Sequence, residues 1–261
     1  MKRIIALILA TLICVFSFTG CGKDPADDLA NVQKAGKLVV GITSFAPMDF
    51  KDDNGEWIGF DADLAKAFAK ELGVEVEFRE IEWDNKVLEL DSYKVDVIWN
   101  GMTLTEEVTA AMDCTNAYCN NQQVIIVPKD KAADFATPDS IKDVTVAVEK
   151  GSAGQTEATA KGAKIKEVAD QATALAEVKS GNAEAAVIDS LMAAAMVGEG
   201  TDYADLTYTA GLNSEEYGVG FRKGSDLTEK LNDFFKKYYE SGEMTKLADK
   251  YGVTAALIEQ K

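Results

Sequence analysis

No histidine occurs among the 261 residues. Nucleophilic catalysis that relies on an imidazole base is thereby excluded, as is any zinc site with a histidine ligand. Basic side chains are also scarce, with 27 Lys and Arg against 44 Asp and Glu and a formal charge of −17. Nucleic-acid binding needs a basic face and is not expected. Cysteine is confined to positions 14, 21, 114 and 119, with no Cys-x-x-Cys pair. Beyond the first twenty residues there is no apolar run near the ~20 residues that span a bilayer. Internal repeats and low-complexity tracts are missing too. Nothing in the composition asks for a metal or a cofactor, and none is expected.

What is present is ordinary soluble composition, 47 % hydrophobic and 27 % charged, at a length suited to one or two domains with real cores. Lys2 and Arg3 precede an apolar run from Ile4 to Phe18, followed by Thr19, Gly20 and Cys21. A basic start, a short apolar stretch and small residues before a cleavage point describe a signal peptide over residues 1–20. Phe18-Thr19-Gly20-Cys21 resembles a bacterial lipobox, with Phe18 where leucine is usual. The resemblance implies lipidation of Cys21 and an extracytoplasmic protein anchored to the outer face of a bacterial membrane. The alternative is a plain secretory signal in which Cys21 is incidental. Residues 21–36 then read as a polar tether. Export permits a disulfide between Cys114 and Cys119 if their Cα atoms come within about 7 Å. A small core residue beside a partly buried thiol is the other reading.

Apolar runs and turn signals alternate along the rest of the chain. Residues 38–42, 74–78 and 95–99 read as strands, and 60–72 as a helix closed by Gly73. A hairpin-like turn falls at residues 53–55, and a short helix at 84–90. After residue 128 alanine becomes commoner and a second series begins: strands at 144–148 and 185–189, helices at 152–160, 172–180 and 190–197. A last strand at 217–221 leads into C-terminal helices from Asp226. Two alternating series argue for an α/β fold with mostly parallel sheets in two lobes and a ligand cleft at their interface.

The most informative stretch runs from Val95 to Val108. Its apolar strand stops at Asn100-Gly101, a turn signal, and Thr103 and Thr105 follow. In open α/β sheets ligands sit beyond the carboxyl ends of strands. Gly101-Met102-Thr103-Leu104-Thr105 resembles the Gly-Met-Thr-x-Thr-x-x-Arg signature of the amino-acid-binding lipoproteins of ABC importers, solute-binding family 3. Further segments match in the family's order: Gly36 to Gly41, Phe45-Ala46-Pro47-Met48, Gly59-Phe60-Asp61-Ala62-Asp63-Leu64, Trp83-Asp84, and Tyr217-Gly218-Val219-Gly220-Phe221-Arg222. The resemblance implies a periplasmic-binding-protein-like fold with two hinge strands. Lobe 1 would be residues 37–120 plus 217–261, and lobe 2 residues 121–216.

The resemblance also implies a monomer that binds a polar amino acid or related amine, delivers it to ABC permease transmembrane subunits and catalyses nothing. Phe45 and Trp83 would sandwich the ligand. Asn100, Gly101, Met102 and Thr103 would line the site, with Gly101 and Thr103 facing a carboxylate. Ser152, Ala153 and Gly154 would present a helix N-terminus, which favours anions. Asp189 would accept from an α-ammonium. Plainer readings stand beside these: Phe45 and Trp83 as core aromatics, and Thr103 or Asp189 as helix caps. The family's carboxylate-clamping arginine is here Val108. Valine cannot make bidentate hydrogen bonds, so Lys86 or Lys150 would replace it, the helix N-terminus would suffice, or the ligand is no simple α-amino acid. The opening turn is also one residue short, with Ile42 near the usual acidic position. The competing classes are an enzyme on the same fold, cyclohexadienyl dehydratase-like, and a ligand-sensing partner protein.

Overall fold

A computed structural model describes residues 24–261. The signal peptide read at 1–20 and the lipidation position Cys21 lie outside the described residues. Among the described residues, no helix is long and apolar enough to cross a membrane.

Two sheets carry the molecule. The first runs in the order Glu75–Glu80, Lys37–Ile42, Val97–Thr103, Glu215–Phe221, Asp113–Cys114, with Cys119–Asn121 also paired to Glu215–Phe221. The second runs Lys164–Val168, Thr145–Glu149, Ala185–Asp189, Gln123–Pro128, Leu206–Gly211. In each sheet three parallel strands are followed by one antiparallel partner. Each is the core of one lobe of a two-lobe α/β fold. The chain leaves the first sheet between Asn121 and Gln123 and returns between Gly211 and Glu215.

Burial explains the local choices. The strand Lys37–Ile42 is buried at every residue after Lys37, as expected of a strand covered on both faces. The helix Phe60–Leu72 turns Phe60, Leu64 and Phe68 inward and ends at Gly73 in the left-handed region, φ 75°. Phe68 meets Trp99 and Phe234, and Trp99 meets Phe235 edge-on at 5.6 Å. Each such ring contributes roughly 1.5–3 kcal/mol by burial, and together they fasten the C-terminal helix Leu227–Glu240 to the first sheet.

Three expectations change, and one open alternative is decided. The stretch read as a tether includes a helix, Asp28–Ala35, docked on the first lobe. Its Asp28 is fully buried against Arg222, with Nε to Oδ2 at 3.0 Å, and the Leu29 amide donates to Asp226 Oδ1. Nothing near Asp28 in sequence announces a partner 194 residues away. Asn100-Gly101 is not a turn. The strand continues to Thr103, with an irregularity in its pairing to Glu215–Phe221 that leaves Gly101 at φ 53°. The strands Lys164–Val168 and Leu206–Gly211 were not anticipated. Both are sheet edges, half-exposed, and lack the apolar run that marked their neighbours. Cys114 and Cys119 are free thiols. They pair with Gly220 and Tyr217 of one strand, three residues or about 10 Å apart, beyond disulfide reach.

Candidate functional site

A cavity of about 270 Å³ lies between the lobes, beyond the carboxyl ends of strands from both sheets. The first lobe brings Phe45, Trp83, Asn100, Gly101, Met102, Thr103 and Val108 to its wall. The second brings Ser152, Ala153 and Asp189. Gly154 does not reach the wall. Its Cα faces the strand Ala185–Asp189, where a Cβ would stand 2.8 Å from Gln123 Oε1 and 3.1 Å from the Val187 carbonyl oxygen. Close helix-on-strand packing is its reason for being glycine.

On the first lobe, several groups expected to face a ligand are braced from behind. The Asn100 side chain donates to Asp49 Oδ2 and the Thr43 carbonyl, and accepts from the Thr43 amide and hydroxyl. It therefore locks the turn that carries Phe45. The Gly101 amide is spent on Asp61 Oδ2 at 2.7 Å, so it is not free for a carboxylate. Burial pushes the Asp61 carboxyl up to about 7, against the hydrogen bonds from Tyr118 and Gly101. Gly101 is glycine for two reasons, its positive φ and a Cβ position only 2.4 Å from Phe45 Cε1. The Thr103 hydroxyl donates to Glu215 Oε1. Thr105, not Thr103, caps the helix Glu106–Ala111, accepting from the Val108 amide.

Val108 packs with Trp83, Leu90, Met102 and Met112, an apolar patch in place of a cation. Of the two lysines considered as replacements, Lys150 is half-exposed and paired with Asp84 at 3.0 Å. Lys86 is buried in the cavity wall, 4.9 Å over the Trp83 ring, and donates to the Trp83 and Gly151 carbonyls. An ammonium has three donors, so one remains for a ligand. Burial holds its pKa below the usual lysine range, with Glu149, Glu107 and Asp84 partly offsetting that effect.

The second lobe supplies a helix N-terminus and buried acids. Ser152 caps the helix Ala153–Ala160, accepting from the Gln155 amide. The first amides of such a helix have no partner within it and suit a carboxylate. Asp189 ends the buried strand Ala185–Asp189 and makes no side-chain cap to the following helix. Its carboxyl instead accepts from Asn121, Gln171 and Tyr217. Burial, with Glu215 nearby, lifts it to about 7. Glu149 ends the neighbouring strand Thr145–Glu149 and also lines the cavity. It was missed in the sequence. A charge closing an apolar strand, the signal that pointed to Asp189, marks Glu149 equally. Neither carboxyl is paired with a lysine or arginine among the described residues.

Residues 38–254 match the family described as bacterial extracellular solute-binding proteins, family 3. A probable histidine-binding protein of Neisseria gonorrhoeae is 32 % identical, over 96 % of each chain. The solved structure of an ancestral arginine-binding protein bound to arginine superposes with a TM-score of 0.77 at 35 % identity, covering 83 % of this chain and 98 % of that one. The ancestral amino acid-binding protein AncCDT-1, titled a precursor of cyclohexadienyl dehydratase, gives 0.78 at 37 % identity, covering 85 % and 98 %. The motif order, the two-lobe fold with its interlobe cavity and the match over most of the chain agree, and the chain belongs to the extracellular solute-binding proteins of family 3.

Proposed function

We propose that the protein is the extracytoplasmic substrate-binding component of an ABC importer, tethered through lipidated Cys21, that binds an amino acid or related amine and delivers it to the membrane permease. The observation that carries this reading is Asp189: a buried carboxylate at a strand end in the cavity wall, with no basic partner among the described residues. Burying an unpaired carboxylate is unfavourable, and a ligand ammonium supplies the missing charge. Lys86 and the start of the helix Ala153–Ala160 face the same cavity and suit the ligand's carboxylate, in place of the arginine that Val108 replaces. Phe45 and Trp83 offer apolar walls. Residues 37–120 plus 217–261 would close against 121–216 around the ligand, a hinge transition at the two chain crossings.

Thermal-shift titration with L-amino acids and simple amines tests the proposal, because a binder stabilises the folded state by RT ln(1 + [L]/Kd). A shift with an amino acid or amine is expected, and its loss in Asp189→Ala. No shift at millimolar concentration with any of them overturns it, as does turnover of an arogenate- or prephenate-like compound.

A further inference from the structure

Glu149 differs from the other acids that line the cavity. Its side chain is 3 % exposed, it lines the cavity, and its Oε1 has no hydrogen-bond partner among the described residues. Glu215, also buried behind the site, is satisfied by Thr103, Asn121, Gln123 and Asn213. Asp189 accepts from three side chains. The groups facing Glu149 are Asp189 and Asp170 on its own lobe and Lys86 across the cleft, with Thr43 and Gln171 as hydrogen-bonding neighbours of the carboxyl. Both acids repel it, and Lys86 is already engaged with two carbonyls. A buried carboxylate with an orphan oxygen beside a cavity lacks a cation or keeps its proton.

We infer that Glu149 reads a second positive charge on the ligand, so that the cleft selects an α-amino acid with a cationic side chain over one with an uncharged side chain. The inference rests on the amine-binding reading above and adds the side-chain charge to it. Charge balance favours that ligand. Lys150 neutralises Asp84, and Asp189, Glu149 and Glu107 against Lys86 leave the wall with negative charge in excess, while a basic amino acid carries one net positive charge. A zwitterion with a neutral side chain leaves that excess in place. Glu149 without ligand holds its proton near neutral pH, since burial, with Asp189 and Asp170 nearby, lifts its carboxyl to about 8. An incoming ammonium or guanidinium takes the place of that proton, which leaves to solvent.

Calorimetric titration of the protein with L-arginine, L-lysine and L-glutamine tests this. Arginine or lysine is expected to bind at least about tenfold more tightly than glutamine, the scale of one charge-assisted hydrogen bond. Glu149→Gln should remove that preference. Binding of the basic ligand to the unmodified protein near pH 7 should release protons, read as a heat that varies with the buffer's ionisation enthalpy. The released proton should vanish in Glu149→Gln, and Glu149→Asp should retain part of the preference. If the Gln variant fails to fold, the proton release and the Glu149→Asp preference decide. Glutamine binding as tightly as arginine and lysine, or an unchanged arginine preference in Glu149→Gln, overturns the role of Glu149 and leaves amine binding intact. Failure of all three ligands to bind at millimolar concentration overturns the role of Glu149, and amine binding falls with it only if no other amino acid or amine shifts the melting temperature.

Discussion

Lys86 Nζ, on the first lobe, donates to the carbonyl oxygen of Gly151, on the second, at 3.0 Å. Beside it Lys150 reaches back to Asp84 at 3.0 Å, so contacts in both directions join the lobes at one side of the cleft. Gly151 sits at φ 72°, and a Cβ there would stand 2.7 Å from Asp84 Cα, a backbone atom of the opposite lobe. The two lobes thus meet closely at the same place where a ligand would contact both.

That closeness predicts the effect of Gly151→Ala. The added methyl collides with backbone that belongs to the other lobe, and the left-handed φ adds strain of about 1–3 kcal/mol. The lobes should fail to reach the closed approach, and ligand affinity should fall by about tenfold or more, the equivalent of that strain. Small-angle scattering should show less compaction on ligand addition than in the unmodified protein. Normal compaction with unchanged affinity would show that the approach at Gly151 does not limit closure.

Lys86→Met keeps the length and apolar stem but removes the cation. A charge-assisted hydrogen bond is worth about 1.5–3 kcal/mol, so affinity for an amino acid should fall roughly 10- to 150-fold. The matching amine without a carboxylate should lose much less, because its only charged partners are Asp189 and Glu149. Calorimetry on the pair of ligands separates the two. Equal losses would mean that Lys86 acts through lobe closure and not on the carboxylate.

Much of the fold was legible because its signals are local. The helix Phe60–Leu72 carries its own apolar face and its own terminal glycine. The strand ends that reach the cavity follow apolar runs, which placed Asp189 where the cleft needs it. What escaped depends on partners far along the chain. Gly101 looked like a turn because Asn-Gly usually is one. Asp61, 40 residues away, holds its amide, and the pairing with Glu215–Phe221 carries the strand on to Thr103. Asn100 looked like a ligand group, yet the Thr43 turn consumes its side chain. Lys86 is one of two candidate cations in the sequence, and only its contacts with the Trp83 and Gly151 carbonyls single it out.

Buried acids set the pH response of the ligand-free protein. Asp61 and Asp189 rise from 3.8 to about 7, and Glu149 from 4.5 to about 8. In that window the folded state holds protons that the unfolded chain releases, so stability falls as pH rises. Tm should therefore decline from pH 5 to pH 8. Glu149→Gln, which has no proton to lose there, should flatten part of the decline. A bound cationic ligand should flatten it further by stabilising the ionised acids. Scanning calorimetry at several pH values checks this, and a Tm that is constant or rising from pH 5 to 8 contradicts it.

The N-terminal helix contributes stability without touching the cleft. Asp28 Oδ2 meets Arg222 Nε at 3.0 Å, and the same guanidinium donates to the Leu90 and Val95 carbonyls and stacks 4.1 Å from the Tyr93 ring. Asp96 lies at 3.5 Å and keeps part of the charge compensated if Asp28 is lost. Breaking a buried pair from one side costs about 3–5 kcal/mol, and the remaining Asp96 places Asp28→Ala at about 3 kcal/mol, the lower end of that range. Urea unfolding should show the loss with an unchanged m-value. Ligand affinity should stay the same, because neither Asp28 nor Arg222 lines the cavity. A loss under about 1 kcal/mol, the scale of an exposed pair, would mean that the helix Asp28–Ala35 is held by its apolar contacts and not by this ion pair.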